Sequence, residues 1–99
     1  MNNSNIQTTI YWEHDPGHGW LAVPLKECKR ANILKDISIY SYYDKKTLTV
    51  YLEEDCDAAL YLDAIKWREN KLPGEKIAER FQENTLIRAL PSFNANAIK

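Results

Sequence analysis

The sequence contains little cysteine, no signal segment and no long apolar run, and each of these absences excludes a class of protein. Two cysteines, Cys28 and Cys56, are too few for the disulfide framework that stabilises small secreted domains. The first residues lack the basic and apolar segments of a secretory signal, so we expect a cytoplasmic protein. No run approaches the roughly 18 apolar residues that cross a bilayer, so we expect no membrane role.

Charge of neither sign dominates the chain. The sequence has 13 basic and 14 acidic residues, which give a formal net charge of −1. This balance does not favour binding to nucleic acid, whose phosphates attract strongly basic surfaces. A weaker hypothesis keeps nucleic acid as the ligand of a local basic patch. That patch would consist of Lys66, Arg68, Lys71, Lys76 and Arg80.

Length and composition predict a single domain over residues 1–99. Hydrophobic residues make up 44% of the chain and charged residues 27%, which is typical of a packed core rather than of a disordered segment. We expect the core of this domain at about 6–83 and a C-terminal tail at 84–99. The tail has apolar residues that could dock on the domain, but Pro91 and the polar ending predict a frayed terminus.

Two pairs of extended segments predict two β-hairpins. Residues 6–13 alternate in polarity, the turn 14–19 contains a proline and two glycines, and residues 20–23 resume an apolar run. Residues 37–43 and 47–52 are rich in β-branched and aromatic side chains, with a polar turn between them. We expect the second strand of this hairpin to turn Leu48, Val50 and Leu52 towards the core.

Helical spacing of apolar residues predicts three helices, at residues 24–32, 55–71 and 75–83. Pro24 suits the first position of the first helix, and Pro73 and Gly74 end the second. The second helix has an apolar stripe of Ala58, Tyr61, Leu62 and Ile65. The resulting order, ββαββαα, predicts an α+β fold: a small antiparallel sheet of two hairpins with helices packed on one face.

Two strings of residues link the chain to a group of known sequences. They are Asp-Pro-Gly-His-Gly-Trp at residues 15–20 and Tyr-Leu-Glu-Glu-Asp-Cys-Asp-Ala at residues 51–58. With these strings in this order, the chain resembles small uncharacterised proteins of phages and prophages over about residues 10–66. The resemblance implies a gene of a mobile element that acts inside a bacterial host, and it implies no mechanism.

The turn at residues 14–19 contains a possible metal site. His14, Asp15 and His18 are residue types that bind transition metals. The proline and glycine between the two histidines prevent them from sharing a helical face, and further ligands would have to come from distant residues. The alternative interpretation is a tight turn in which Asp15 accepts backbone hydrogen bonds.

The acidic run at residues 53–57 has three interpretations. Its carboxylates, from Glu53, Glu54, Asp55 and Asp57, could serve general acid–base chemistry or bind magnesium. A run of this kind more often begins a helix, with Asp55 as the capping residue. It could also present an acidic surface to a partner. No catalytic pattern of nucleophile and base accompanies it, so we expect no catalytic residue here.

Three tyrosines of the second hairpin predict an aromatic surface. Tyr40, Tyr42 and Tyr51 would lie opposite the apolar face if the pleat is regular. Exposed aromatic residues on a sheet can anchor a protein partner, although a helix could equally cover them. Few basic residues lie nearby, which argues against stacking on nucleic-acid bases.

We therefore expect a small binding or inhibitory module, encoded by a mobile element, that acts on a host or phage protein. Its predicted binding residues are Tyr40, Tyr42, Tyr51, Glu53 and Glu54. The alternative is a small metal-binding domain, or a metal-dependent enzyme, that uses His14, Asp15 and His18. We expect no cofactor, and no pattern in the sequence predicts an oligomeric state.

Overall fold

The computed structural model describes residues 8–65, 75–82 and 86–94, with side chains from Ile10 in the first strand and from Ala78 in the last. Its regular elements are five strands and two α-helices in a mixed α/β fold. They are β1 (Thr8–His14), β2 (Gly19–Pro24), α1 (Leu25–Arg30), β3 (Tyr42–Asp44), β4 (Thr49–Glu53), α2 (Ala58–Ala64) and β5 (Glu75–Phe81). Two short 3₁₀ turns lie at Leu34–Asp36 and Ile87–Ala89.

The five strands form one sheet in the order β3-β4-β2-β1-β5. The two predicted hairpins are present, since β1 pairs antiparallel with β2 and β3 pairs antiparallel with β4. Strands β2 and β4 join them, also antiparallel. The alternation of side chains and the proline–glycine turn specify the first hairpin locally, because a one-residue slip would turn its apolar face to solvent.

The helices pack on one face of the sheet, as predicted. Alternate residues of the central strands, including Leu21, Val23, Val50 and Leu52, are buried on this face. Leu25 and Cys28 of α1 and Ala58 and Tyr61 of α2 complete the same core. Leu62 and Ile65, which belong to the predicted apolar stripe of α2, are half-buried at the margin of this core. Residues 66–71, the rest of the predicted helix, lie outside the described residues.

The third predicted helix is wrong, because residues 75–81 form strand β5. This strand pairs with β1 in parallel, with Ile77 opposite Ile10 and Arg80 opposite Glu13. The apolar spacing of Ile77, Ala78 and Phe81 fits a helix as well as a strand. Pairing with the free edge of β1 selects the strand over the helix, because tertiary contacts override a weak local preference. The sheet is therefore mixed rather than purely antiparallel.

The predicted strand at residues 37–43 is shorter than expected. Only Tyr42 to Asp44 pair with β4, and the preceding residues form bends and turns. The backbone N–H and the hydroxyl of Ser38 instead donate to the carboxylate of Asp57. A serine that bonds in this way withdraws the backbone from the strand ladder.

Leu48 is not a core residue, contrary to the expectation for the second hairpin. It lies in the turn before β4, is 55% exposed and has a φ of 54°. The left-handed conformation is sterically costly for leucine and belongs to the turn that reverses the chain. Core packing in β4 begins with Val50.

The described C-terminal residues, 86–94, lie against the sheet. Ile87 and Phe93 are buried, and Phe93 packs edge-on against Tyr43 at a ring-centroid distance of 6.3 Å. The backbone N–H of Phe93 donates to the carbonyl of Ser41, and that of Tyr43 donates to the carbonyl of Pro91. These bonds cover part of the edge of β3. No helix in the described part of the chain is long and apolar enough to span a membrane.

Candidate functional site

A cleft of about 310 Å³ lies on the face of the sheet opposite the helices, at the end near the first turn. One part of its lining is aromatic: His18, Trp20, Tyr40 and Tyr42. The other part is polar: Glu53, Asp55, Cys56 and Arg88. We call it the aromatic–acidic cleft.

The aromatic lining is ordered by ring packing. Trp20 of β2 is 1% exposed and meets Tyr42 of β3 edge-to-face, with ring centroids 6.3 Å apart. His18 stacks on Trp20 at 5.8 Å with an interplanar angle of 16°. Tyr40 precedes β3 and is 62% exposed. The buried indole Nε1–H of Trp20 has no acceptor among the described residues.

A buried hydrogen-bond network holds the loop of Tyr40 in place. The Asp57 carboxylate is buried and accepts hydrogen bonds from Ser38 and from the hydroxyl of Ser41. The Ser41 oxygen in turn accepts the backbone N–H of Glu53 at 3.0 Å. The loop before β3, the end of β4 and the start of α2 are thus joined through three side chains, which fixes both walls of the cleft.

The acidic run folds as a capped turn, but not with the predicted cap. Oε1 of Glu53 accepts the backbone N–H groups of Asp55 and Cys56 at 2.7 and 2.9 Å. Asp57, not Asp55, occupies the N-cap position of α2, and its carboxylate bonds the serines instead of the helix. The side chain of Asp55 is exposed at the rim of the cleft.

Arg88 closes the other end of the cleft. Its guanidinium donates to the Asp15 carboxylate at 3.0 Å and to Nδ1 of His18. A guanidinium can only donate, so Nδ1 of His18 is the acceptor. The Asp15 carboxylate also accepts the backbone N–H groups of Gly17 and His18. The prediction of a turn built around Asp15 describes this geometry, with Arg88 as an added partner.

These contacts alter the acidity of two groups at the site. Burial raises the pKa of Asp15, but the backbone donors of Gly17 and His18 together with Arg88 outweigh it and hold the pKa below its usual value of 3.8. Desolvation, followed by the Glu53 carboxylate and its acidic neighbours, raises the pKa of the exposed Cys56 thiol. The carboxylate of Asp15 therefore stays ionised beside Arg88, and Cys56 stays a thiol.

The charge of the cleft is negative. None of the carboxylates of the run from Glu53 to Asp57 forms an ion pair within the described part of the chain. Arg88, the cation in the lining, is already paired with Asp15. The unpaired carboxylates therefore dominate the local field.

The structure brings some of the predicted binding residues together and separates others. Tyr40, Tyr42 and Glu53 meet in the aromatic–acidic cleft. Tyr51 pairs with Tyr42 across the ladder, but it lines a second cleft of about 270 Å³ that also includes Arg80. Glu54 lies beside Gly19, where an added Cβ would come within 2.9 Å of its Oε1.

The residues of the predicted metal site point in different directions. His14 stacks on Trp12 and lies 3.6 Å from the carboxylate of Glu79, on the helix side of the sheet. His18 stacks on Trp20 on the opposite side. Residues 8–65, 75–82 and 86–94 contain no group of three or more His, Cys, Asp or Glu side chains that could hold a metal ion. The geometry of the turn supports the structural interpretation.

The predicted basic patch is only partly visible. Lys66, Arg68 and Lys71 lie outside the described residues, as does the side chain of Lys76. Arg80 donates to the Glu13 carboxylate, and its guanidinium carbon lies 3.8 Å from the centre of the Tyr11 ring. This arginine is engaged within the protein.

Sequence reasoning missed three residues of the cleft: Trp20, Cys56 and Arg88. Trp20 lies opposite Glu53 across β2 and β4, and this pairing depends on the register between the two hairpins. Arg88 reaches Asp15 from 73 residues further along the chain, so no local pattern signals it. The Asp-Pro-Gly-His string did mark the turn that receives it.

Comparisons of the chain with protein families, with curated proteins and with solved structures give no match.

Proposed function

We propose that this chain is a small binding module, encoded by a mobile element, that works in the bacterial cytoplasm and modulates a host or phage protein through the aromatic–acidic cleft. The resemblance to phage and prophage proteins supports the biological context. The geometry of the cleft supports the binding role.

One observation carries the proposal: Tyr40 and Tyr42 open into the same cleft as Glu53 and Asp55. Aromatic residues in pockets are frequent anchors of protein interfaces, and neighbouring charges steer association. Tyr40 is 62% exposed, although burial of an aromatic ring against apolar groups is favourable. An exposed aromatic side chain at the mouth of a cleft is suited to contact a partner.

The hydrogen bonds and ring contacts that order the cleft lower the entropic cost of binding. Ser38, Ser41 and Asp57 fix the loop that carries Tyr40, and the ring of Tyr42 rests on buried Trp20. Groups that are ordered before association lose less conformational entropy when the partner arrives. The cleft is therefore prepared for a partner without rearrangement of the sheet.

The test is affinity capture from a bacterial lysate with three forms of the full chain: the wild type, Tyr40→Ser and Phe81→Ser. Phe81 is the matched control, since it is 66% exposed and does not line the cleft. We expect a specific protein to be captured by the wild type and by Phe81→Ser and to be lost with Tyr40→Ser. Equal capture by Tyr40→Ser would show that the cleft is not the binding surface.

A further inference from the structure

We infer that the aromatic–acidic cleft receives an arginine side chain of the partner, held between the tyrosine rings and the carboxylates of the rim. This inference rests on the proposed function and specifies the chemistry of the same site. Three observations carry it: the unbalanced charge of the cleft, an equivalent arrangement elsewhere in the chain and the size of the cleft.

The cleft attracts a cation. Glu53 and Asp55 line it, and neither pairs with a basic group among the described residues. The charge of Arg88 is engaged by Asp15, whose side chain is 7% exposed. A basic side chain of a partner would complement this field, whereas an acidic one would be repelled.

The sheet already contains an arginine in such surroundings. On the same face, Arg80 lies over the ring of Tyr11 and pairs with the carboxylate of Glu13, which is 4% exposed. The cleft offers the same two kinds of group, the rings of Tyr40 and Tyr42 and the carboxylate of Glu53. The cation in its lining, Arg88, lies over Trp20 at 5.8 Å from the ring centre and pairs with Asp15. A planar guanidinium stacks on aromatic rings and pairs with a carboxylate at once, which an ammonium group does less well.

The size of the cleft suits one side chain. Its volume of about 310 Å³ is at the lower end of the range of about 300–1,000 Å³ for small-ligand pockets. A helix or a folded segment would need a longer groove. The arginine would therefore project from the partner's surface into the cleft.

The direct test is a titration of the ¹⁵N-labelled full chain with a blocked Gly-Arg-Gly peptide, followed by NMR. The control is a blocked Gly-citrulline-Gly peptide, because citrulline has nearly the same shape and no charge. We expect the arginine peptide to shift the signals of Tyr40, Tyr42 and the Trp20 indole, and the citrulline peptide to leave them in place. Equal shifts with both peptides, or none with either, would overturn the inference.

Two variants test which groups bind the arginine. Tyr40→Leu should weaken binding of the peptide about two- to fivefold, the effect of losing one exposed cation–π contact. Asp55→Asn should weaken it by up to about fivefold, because it removes one unpaired charge from the rim. Asp63→Asn is the matched control, since Asp63 is an exposed carboxylate on α2 outside the cleft. Equal weakening by the Asp63 and Asp55 variants would mean that net charge alone attracts the peptide, and the inference would fail.

The two proposals can fail separately. If Tyr40→Ser abolishes capture of the partner while the arginine peptide leaves the cleft signals unchanged, the cleft is the binding surface and the arginine is wrong. If Tyr40→Ser captures the partner normally and the arginine peptide also leaves the cleft signals unchanged, both proposals are wrong. Shifts of the same signals by a short single-stranded oligonucleotide, but not by the arginine peptide, would also overturn the inference.

Discussion

The buried hydroxyl of Ser41 donates a hydrogen bond to the buried carboxylate of Asp57, sixteen residues further along the chain. Its oxygen also accepts the backbone N–H of Glu53. We predict that Ser41→Ala lowers the free energy of unfolding by about 1–3 kcal/mol, because it takes the acceptor from the partly buried N–H of Glu53 and a donor from a buried carboxylate. Chemical denaturation measures this loss.

The control for this substitution is Thr47→Ala, which removes an exposed hydroxyl that donates to the hydroxyl of Thr49. It should change the free energy of unfolding by no more than about 0.5 kcal/mol. If Ser41→Ala is as mild as Thr47→Ala, the network does not hold the loop of Tyr40, and the prepared cleft loses its main support.

Substitution of alanine for leucine at two positions should distinguish the core from its margin by the loss of stability. Leu52 of β4 is fully buried, whereas Leu62 of α2 is half-buried. Leu52→Ala should cost about 2–5 kcal/mol of stability, the usual range for a cavity in a packed core. Leu62→Ala should cost about 1 kcal/mol, since it removes a side chain that is only partly out of water. Equal costs in denaturant melts would mean that α2 packs more tightly on the sheet than the structure shows.

The lowered pKa of Asp15 predicts a pH dependence. A carboxylate whose pKa is lower in the folded state stabilises the fold above its unfolded pKa of 3.8, and this contribution is lost as the pH falls through the folded value. Asp15→Asn keeps the acceptor for Gly17 and His18 but removes the charge that pairs with Arg88. The wild type should therefore melt at a higher temperature than this variant near neutral pH, and the gap should shrink below pH 3.8. A gap that stays constant into that range would show that the ionised carboxylate contributes nothing.

The two cysteines should differ in reactivity. Burial, with the nearby Glu27 carboxylate adding to it, raises the pKa of Cys28 to about 12, and Cys28 is fully buried. Cys56 is exposed in the cleft, although its pKa is also raised. Because the thiolate is the reactive form, a thiol reagent at mildly alkaline pH should modify Cys56 alone in the folded protein, and more slowly than free glutathione. Rapid modification of both thiols without denaturant would contradict the burial of Cys28.

The sequence predicted those parts of the fold that depend on local patterns. Alternating polarity and the turn of Pro16 and Gly17 specify the first hairpin within a short stretch, and the structure confirms it. Strand β5 could not be found in this way, since Ile77, Ala78 and Phe81 fit either period and only pairing with β1 selects the strand. Local patterns determine the hairpins, whereas the edges of the sheet depend on contacts that no short window contains.

The residues of the candidate site, like the strands, were predictable only where a local sequence pattern specifies them. An aromatic hairpin beside an acidic run groups Tyr40, Tyr42 and Glu53 in the sequence, and these three residues line one cleft; their role in binding stays a prediction. The role of Asp57 was missed, because an aspartate before a helix usually caps it and here it bonds two serines of a loop. The position of Arg88 depends on how the C-terminal residues cross the sheet.

The parallel pairing of β5 with β1 has a consequence for how the chain folds. Arg80 and Glu13, opposite each other in this ladder, are 67 residues apart, so closing the ladder has a larger entropic cost than forming either hairpin. We expect β5 to join after the other four strands have paired. Until it does, the outer edge of β1 presents unpaired backbone beside buried Ile10, and an exposed edge of this kind invites pairing between chains. If β5 pairs slowly with β1, aggregation during refolding should therefore increase steeply with protein concentration.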